Sequence, residues 1–215
     1  MMERARLSNG YLSGIALLLL ALPLSACVSV LPEAKTAPTI YRLNIPHGND
    51  TISLDNTKVI NIEFPQAPRA LSGTDIVLSP DGRRLTAAAG ASWAEPVPSQ
   101  LRHILIDILA QNGRITGVIP KGGTRAPYRL NTEIRRFEAV FDNGEDAPPN
   151  ALLLLNVTLT DTNTRKLVGT HTVKKTVRAR AKSVSSIVDA QDKATNAAMH
   201  DIAKWLDGMV GKRPR

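Results

Sequence analysis

The chain has 215 residues, a net charge of +8, 4% aromatic residues and a single cysteine. This length suits one domain with a sizeable core, or two small ones, and a lone cysteine excludes an internal disulfide and a metal held by several cysteines. The positive charge suits anionic lipid or an acidic partner, whereas the scarcity of aromatic residues argues against nucleic-acid binding.

The N-terminal segment has the pattern of a secretory signal. Arg4 and Arg6 precede an apolar run over residues 15–24, and small residues follow the run. As a helix the run would span about 15 Å, about half of the bilayer hydrocarbon, so it is too short for an ordinary transmembrane anchor. We therefore predict that residues 1–26 are removed as a signal peptide. An ordinary secretory signal cut nearby and an uncleaved anchor are the alternatives.

The cleavage region, Leu24-Ser25-Ala26-Cys27, resembles the lipobox of bacterial lipoproteins. This resemblance implies a diacylglycerol thioether and an N-acyl chain on Cys27, and we expect no other cofactor and no metal. Two or three acyl chains, at about 0.8 kcal/mol per buried methylene, would make the attachment effectively permanent. Val28 stands where proteobacterial lipoproteins retained in the inner membrane usually carry Asp. The resemblance thus favours the inner leaflet of the outer membrane, with the domain facing the periplasm; in a bacterium with one membrane, the lipid would lie on its outer face.

The remaining chain divides by composition into three parts. The signal carries two basic residues and one acidic residue, so the mature chain keeps a net charge of +7. Residues 27–38 contain prolines and no periodic pattern, which predicts a lipidated tether of at most about 35 Å. Residues 39–208 hold the predicted folded domain, and residues 209–215 form a basic tail.

The first half of the domain is predicted to hold four strands. Runs of β-branched and apolar residues predict strands over 39–43 and 59–64, and the stretch 68–71 suits one helical turn. Two further strands, 75–78 and 83–86, flank a Ser-Pro-Asp-Gly sequence typical of a tight turn, so they form a hairpin.

A helix follows this hairpin. Pro96 and Pro98 suit a first turn, and apolar residues from Val97 to Leu109 recur at steps of three and four. Asn112-Gly113 ends the helix.

The second half is mostly strand. Residues 128–141 change the parity of their apolar positions near Arg135-Arg136, which predicts a β-bulge. With 153–160 and 167–181 they form an antiparallel meander with one buried face. Ser186 and Asp189 resemble a capping box that opens a last helix, which Gly208 ends. The predicted class is α+β, a largely antiparallel sheet with two long amphipathic helices packed on one face.

Several phrases of this sequence resemble the family of ABC-type transport auxiliary lipoproteins. They are the lipobox, Ile40-Tyr41-Arg42-Leu43, Asp75-Ile76-Val77, the closing amphipathic helix and, most tellingly, Trp93-Ala94-Glu95-Pro96 before the first long helix. The likeness covers roughly residues 27–208. It implies a non-catalytic outer-membrane docking platform for an ABC permease and ATPase with a substrate-binding protein of the mammalian-cell-entry class. Such machinery moves phospholipids or other hydrophobic molecules, so membrane lipids are implied partners; a homo-oligomer is compatible with this reading.

No set of residues suggests an enzyme. The histidines His47, His103, His171 and His200 are scattered without metal-ligand spacing. The stretch 90–94, Gly-Ala-Ser-Trp-Ala, lacks the last glycine of a hydrolase nucleophile elbow, so we interpret it as a structural turn. The competing function without transport is a structural lipoprotein that scaffolds another outer-membrane assembly.

Two surface features could carry function. Lys174, Arg178, Arg180 and Lys182 share one strand face, which suits either a charged edge that prevents aggregation or a cationic patch for phospholipid headgroups or an acidic partner. Trp93 suits either a packed hinge or an exposed interface anchor.

Overall fold

The computed structural model describes residues 37–44, 58–120 and 125–210. The predicted signal, the lipid site at Cys27, most of the tether and the tail from residue 211 onward lie outside these residues. The elements of the described residues are β1 (Thr39–Tyr41), β2 (Lys58–Ile62), a 3-10 turn (Arg69–Leu71), β3 (Asp75–Ser79), β4 (Thr86–Trp93), α1 (Val97–Asn112), β5 (Ile115–Val118), β6 (Tyr128–Val140), β7 (Asn150–Asp161), β8 (Leu167–Arg178) and α2 (Val184–Val210).

The strands form one mixed sheet of eight strands. The predicted meander is present, because β7 pairs antiparallel with β6 on one side and with β8 on the other. The predicted hairpin also forms, because β3 and β4 pair antiparallel. Its second strand was misplaced: β4 begins at Thr86 rather than at residue 83, because Asp81 accepts the backbone N–H groups of Arg83 and Arg84 and so extends the turn. The shorter pairings are parallel: β6 with β2 and β3, β2 with β5, and β1 with β4. The α+β class is confirmed, with parallel strands added beside the antiparallel ones.

The stretch predicted as a turn at 90–94 belongs instead mostly to β4, which continues to Trp93. Gly90 has φ +66, in the left-handed region that glycine adopts without a steric cost. The pairing of β3 with β4 also shifts register between Asp75 and Val77. The glycine therefore marks an irregularity within a strand, and the prediction of a turn was wrong.

The predicted bulge lies where the parity of the sequence changes. The register of β6 against β7 shifts between Ile134 and Arg136. Because one extra residue is inserted there, Ile134 and Phe137 point to the same side of the sheet, and both are buried. The bulge thus keeps one apolar face along the whole of β6.

The first helix has the predicted ends. Pro96 precedes α1, and Gly113 follows it with φ +64, the left-handed conformation of a helix C-terminus.

The second helix differs from its prediction at both ends. α2 begins at Val184, and the hydroxyl oxygen of Ser183 accepts the backbone N–H of Ser186 at 3.4 Å. Ser183 is therefore the cap, and the predicted capping role of Ser186 was wrong. α2 also continues through Gly208 to Val210, because one helical glycine costs only about 1 kcal/mol and Val210 is buried.

Both helices pack on one face of the sheet. α2 covers β7 and β8, α1 covers β5, and the two helices contact each other. The core between sheet and helices is continuous, with Leu130, Leu155 and Ile202 fully buried at its centre. Along β8, Val173 and Lys175 point to the face that α1 and α2 cover, so Lys174 and Arg178 lie on the opposite face, which no helix of the described residues covers and which we call the helix-free face. Within the described residues, no helix has the length and apolarity needed to cross a bilayer.

Candidate interaction surfaces

Trp93 lies in the core, at the join of β4 and α1. Its side chain is 2% exposed, and its ring centroid lies 6.0 Å from that of Phe137. Its backbone N–H donates to the carbonyl of Thr74 at 2.7 Å. Of the two roles that the sequence allowed, this buried position suits the packed one.

Arg178, at the end of β8, holds the loop between β6 and β7. Its guanidinium donates to both carboxylate oxygens of Asp142, at 2.7 and 2.9 Å, and to the carbonyl of Pro148 at 2.9 Å. The hydrogen bond from Arg178 is the main reason that the pKa of Asp142 lies below its usual range. This bidentate pair joins residues 36 apart in sequence, so it is a structural clamp as well as a surface charge.

The four predicted patch cations differ in their surroundings. Lys182 pairs with Asp146 at 3.3 Å, in the same loop as Asp142. Lys174 and Arg180 are exposed, and within the described residues neither side chain forms an ion pair. Only Lys174 and Arg178 lie on β8 itself, which is an edge of the sheet, while Arg180 and Lys182 follow its end. The loop carboxylates thus neutralise half of the patch.

A charged cluster that sequence reasoning missed joins β8 to α2. Asp201 accepts from Lys175 at 2.5 Å and lies 3.1 Å from Nε2 of His171. The His171 ring stacks on Trp205, with centroids 5.5 Å apart. The hydrogen bond from Lys175, and then that from His171, lowers the pKa of Asp201. The sequence did contain a signal for this cluster. His171 and Lys175 lie four residues apart on one face of a strand, and Asp201 and Trp205 lie one turn apart on a helix.

The histidines do not assemble into a metal site in the part of the chain that the structure describes. No group of three His, Cys, Asp or Glu side chains there could hold a metal ion. His103 has Glu95 at 3.7 Å, and His171 has Asp201 as described above. His47 lies outside the described residues.

One comparison with known proteins identifies a family, and another finds solved structures with the same fold. The model of the family described as the ABC-type transport auxiliary lipoprotein component matches residues 41–203. The crystal structure of protein XCC0632 from Xanthomonas campestris, described as a DUF330 member, has a TM-score of 0.68 at 20% identity over 80% of this chain and 95% of that one. A second crystal structure, described as an uncharacterized protein, has a TM-score of 0.63 at 17% identity over 80% of this chain and 99% of that one. Comparison with curated proteins gave no significant match.

Proposed function

This chain belongs to the family of ABC-type transport auxiliary lipoprotein components, and on that premise we propose that it is the non-catalytic outer-membrane dock of a transporter for phospholipids or other hydrophobic molecules. Members of the family are lipoprotein components associated with ABC transport systems. The observation that carries the proposal is the match over residues 41–203, which includes nearly all of the described domain. The partners in this proposal are an ABC permease and ATPase and a substrate-binding protein of the mammalian-cell-entry class.

The proposal includes a lipid anchor at Cys27. The thiol would carry the diacylglycerol, the new N-terminus an N-acyl chain, and Val28 would direct the protein to the inner leaflet of the outer membrane. A tether of about ten residues reaches at most roughly 35 Å, so the domain would work close to that membrane. Mass spectrometry of the N-terminal peptide, together with membrane fractionation, tests this part. An unmodified Cys27, or a protein that stays in the inner membrane, would contradict it.

The docking surface in this proposal lies at the end of β8. Lys174 and Arg180 keep their charges free of the described carboxylates, and Arg178 holds the neighbouring loop in place through Asp142. An acidic partner surface would therefore meet two available cations beside a fixed loop. Thr176, exposed between Lys174 and Arg178, is the position for a photo-crosslinking side chain.

The experiment combines crosslinking with charge reversal in intact cells. The crosslinker at Thr176 should capture the mammalian-cell-entry-class protein, and Lys174→Glu with Arg180→Glu should reduce its capture and co-purification at least about fivefold, as about 1 kcal/mol implies. The matched control, Arg69→Glu with Arg83→Glu, changes the charge equally at two other exposed arginines.

Two results would contradict the proposal. Crosslinks to an outer-membrane barrel alone would favour the scaffolding function instead. Equal losses in the charge-reversed protein and its control would remove the role of the β8 surface.

A further inference from the structure

A polar row crosses the helix-free face of the sheet at the end opposite to Arg178. In the register of the strands, Arg129 of β6 lies beside Asn61 of β2 and beside Thr160 of β7. Cross-strand neighbours on one face are about 5 Å apart, so the three side chains can reach one ligand. Their common face is opposite to that of Leu130, which packs in the core under the helices.

Two more arginines reach the same row from outside the strands. Arg125 precedes β6, and Arg165 lies in the turn between β7 and β8. Arg125 lines a cleft of about 480 Å³ that also contains Asn61, and Arg165 lines an adjoining cleft of about 460 Å³. Arg129 and Thr162 line both clefts, so three guanidinium groups surround one continuous depression.

The carboxylates near this depression are already committed. Glu63 pairs with Arg129 at 2.9 Å, which leaves that guanidinium further N–H donors. Asp161 lines the cleft of Arg165, and its carboxylate accepts the backbone N–H groups of Asn163 and Thr164 at 2.9 and 2.8 Å. No acidic residue lines the larger cleft, and within the described residues neither Arg125 nor Arg165 forms an ion pair.

The walls of the larger cleft are joined by hydrogen bonds. The hydroxyl of Thr162 donates to the carbonyl of Ala126 at 2.7 Å, and its backbone N–H donates to the carbonyl of Pro127 at 2.9 Å. These bonds tie the turn that carries Arg165 to the segment that carries Arg125. The cations are thus held on a preorganised frame, which reduces the entropy lost on binding a ligand.

One buried acceptor in this cleft lacks a partner. The amide oxygen of Asn61 is inaccessible to solvent and accepts no hydrogen bond from the described residues. Because the protein encloses this oxygen, a ligand in the cleft does not reach it, and Asn61 can contact a ligand only through its remaining atoms. The contacts to a ligand therefore depend on the arginines, whose forks match the oxygen geometry of phosphate, so the set suits a phosphate ester.

We propose that the Arg125–Arg129–Arg165 cleft is a binding site for a phosphate ester, with the chemistry of glycerol phosphate. The guanidinium groups bind the phosphate oxygens. This chemistry occurs in free glycerol phosphate and in the headgroup of phosphatidylglycerol. The cleft lined by Arg114, Lys204 and Asp207 is a weaker candidate, because Arg114 is the one arginine among the described residues of its lining and already pairs with Asp207 at 2.9 Å.

The experiment measures binding to the full lipidated protein in dodecyl maltoside, a neutral detergent. Isothermal titration calorimetry uses three probes: inorganic phosphate, glycerol 3-phosphate and dihexanoyl phosphatidylglycerol below its micelle concentration. Arg125→Gln with Arg165→Gln should weaken binding at least about tenfold, because charged hydrogen bonds of this kind are strong. Asn61→Asp should also weaken it, because it places a carboxylate in the cleft.

The control variant and the comparison between the probes decide the outcome. Arg69→Gln with Arg83→Gln removes the same charge from two other exposed arginines and should leave binding within twofold. Tighter binding of glycerol 3-phosphate than of the lipid supports the site and identifies its ligand as a free ester. Tighter binding of the lipid than of glycerol 3-phosphate supports the site and identifies its ligand as a lipid headgroup. Absence of binding by the unchanged protein, equal losses in the control, or unchanged binding in the cleft variants would overturn the proposal. None of these results bears on capture at Thr176, so the two proposals fail separately.

Discussion

The most informative test of the fold concerns an ion pair beside the bulge of β6. Glu138 is 1% exposed although it lies on the helix-free face, and one of its oxygens accepts from Nε of Arg136. The other oxygen accepts the backbone N–H of Phe137 at 2.9 Å. The side chain of Arg136 remains 36% exposed. The carboxylate is therefore the buried member of the pair, and the guanidinium can still reach water.

This difference predicts unequal costs for the two halves of the pair. Arg136→Met leaves the buried carboxylate without its counter-charge, so we expect the free energy of unfolding to fall by about 3–5 kcal/mol. Glu138→Gln keeps an oxygen for the Phe137 amide and leaves a cation that water can solvate, so we expect a loss of about 1–2 kcal/mol. Replacing both, with Arg136→Met and Glu138→Gln, removes both charges and keeps an oxygen for the Phe137 amide, so it should bring stability to within about 1 kcal/mol of the original.

Urea denaturation at neutral pH, with a thermal melt as a second readout, measures these values. A loss of 1 kcal/mol lowers the Tm by about 2–4 °C in a domain of this size. The control is the neighbouring pair on the same strand, Arg135 and Glu133, whose side chains are 53% and 47% exposed. Nη1 of Arg135 lies 3.0 Å from Oε1 of Glu133. Glu133→Gln should cost less than about 1 kcal/mol. Equal costs for Arg136→Met and Glu138→Gln would refute the reasoning from burial.

Three further predictions concern packing, pH and fluorescence. A Cβ at Gly117 would lie 3.1–3.3 Å from three apolar side chains, so Gly117→Ala should cost about 1–3 kcal/mol in urea, whereas Gly73→Ala, with open space around it, should cost less than about 0.5 kcal/mol. The folded-state pKa of Asp201 lies below its ordinary value of 3.8, so the stabilisation from this carboxylate is complete above that value and disappears as the pH falls through the folded-state pKa. The free energies of unfolding of Asp201→Asn and of the unchanged protein should therefore converge as the pH falls through that range, and a constant difference between them would contradict this. In a Trp205→Phe background, Trp93 should emit at short wavelength and resist iodide quenching, and exposed-tryptophan emission would contradict its buried position.

The sequence predicted those parts of the fold that local rules decide. The proline and glycine at the two ends of α1 and the bulge near Arg136 follow from backbone stereochemistry and from the parity of apolar residues. β5 was missed, because its four residues contain Gly117 and carry no clear alternation. Its parallel pairing with β2 joins segments far apart in the chain, and no turn between them announces such contacts. The interpretation of residues 90–94 as a turn was wrong for a related reason. A residue such as Gly90, in the left-handed conformation, occurs in bulged strands as well as in turns.

The charges show most clearly why the site was harder to predict than the fold. A cationic run that is evident along β8 loses much of its net charge because Asp142 and Asp146, distant in sequence, fold back onto Arg178 and Lys182. The arginines at the opposite end are scattered over forty residues and form no run, yet sheet register and one turn bring them around a shared depression. A run of basic residues in the sequence shows which cations are present. Their neighbours in the folded sheet determine which of these cations remain available to a ligand. The charged surfaces of this domain are therefore set by register, which the antiparallel meander fixes through its buried face.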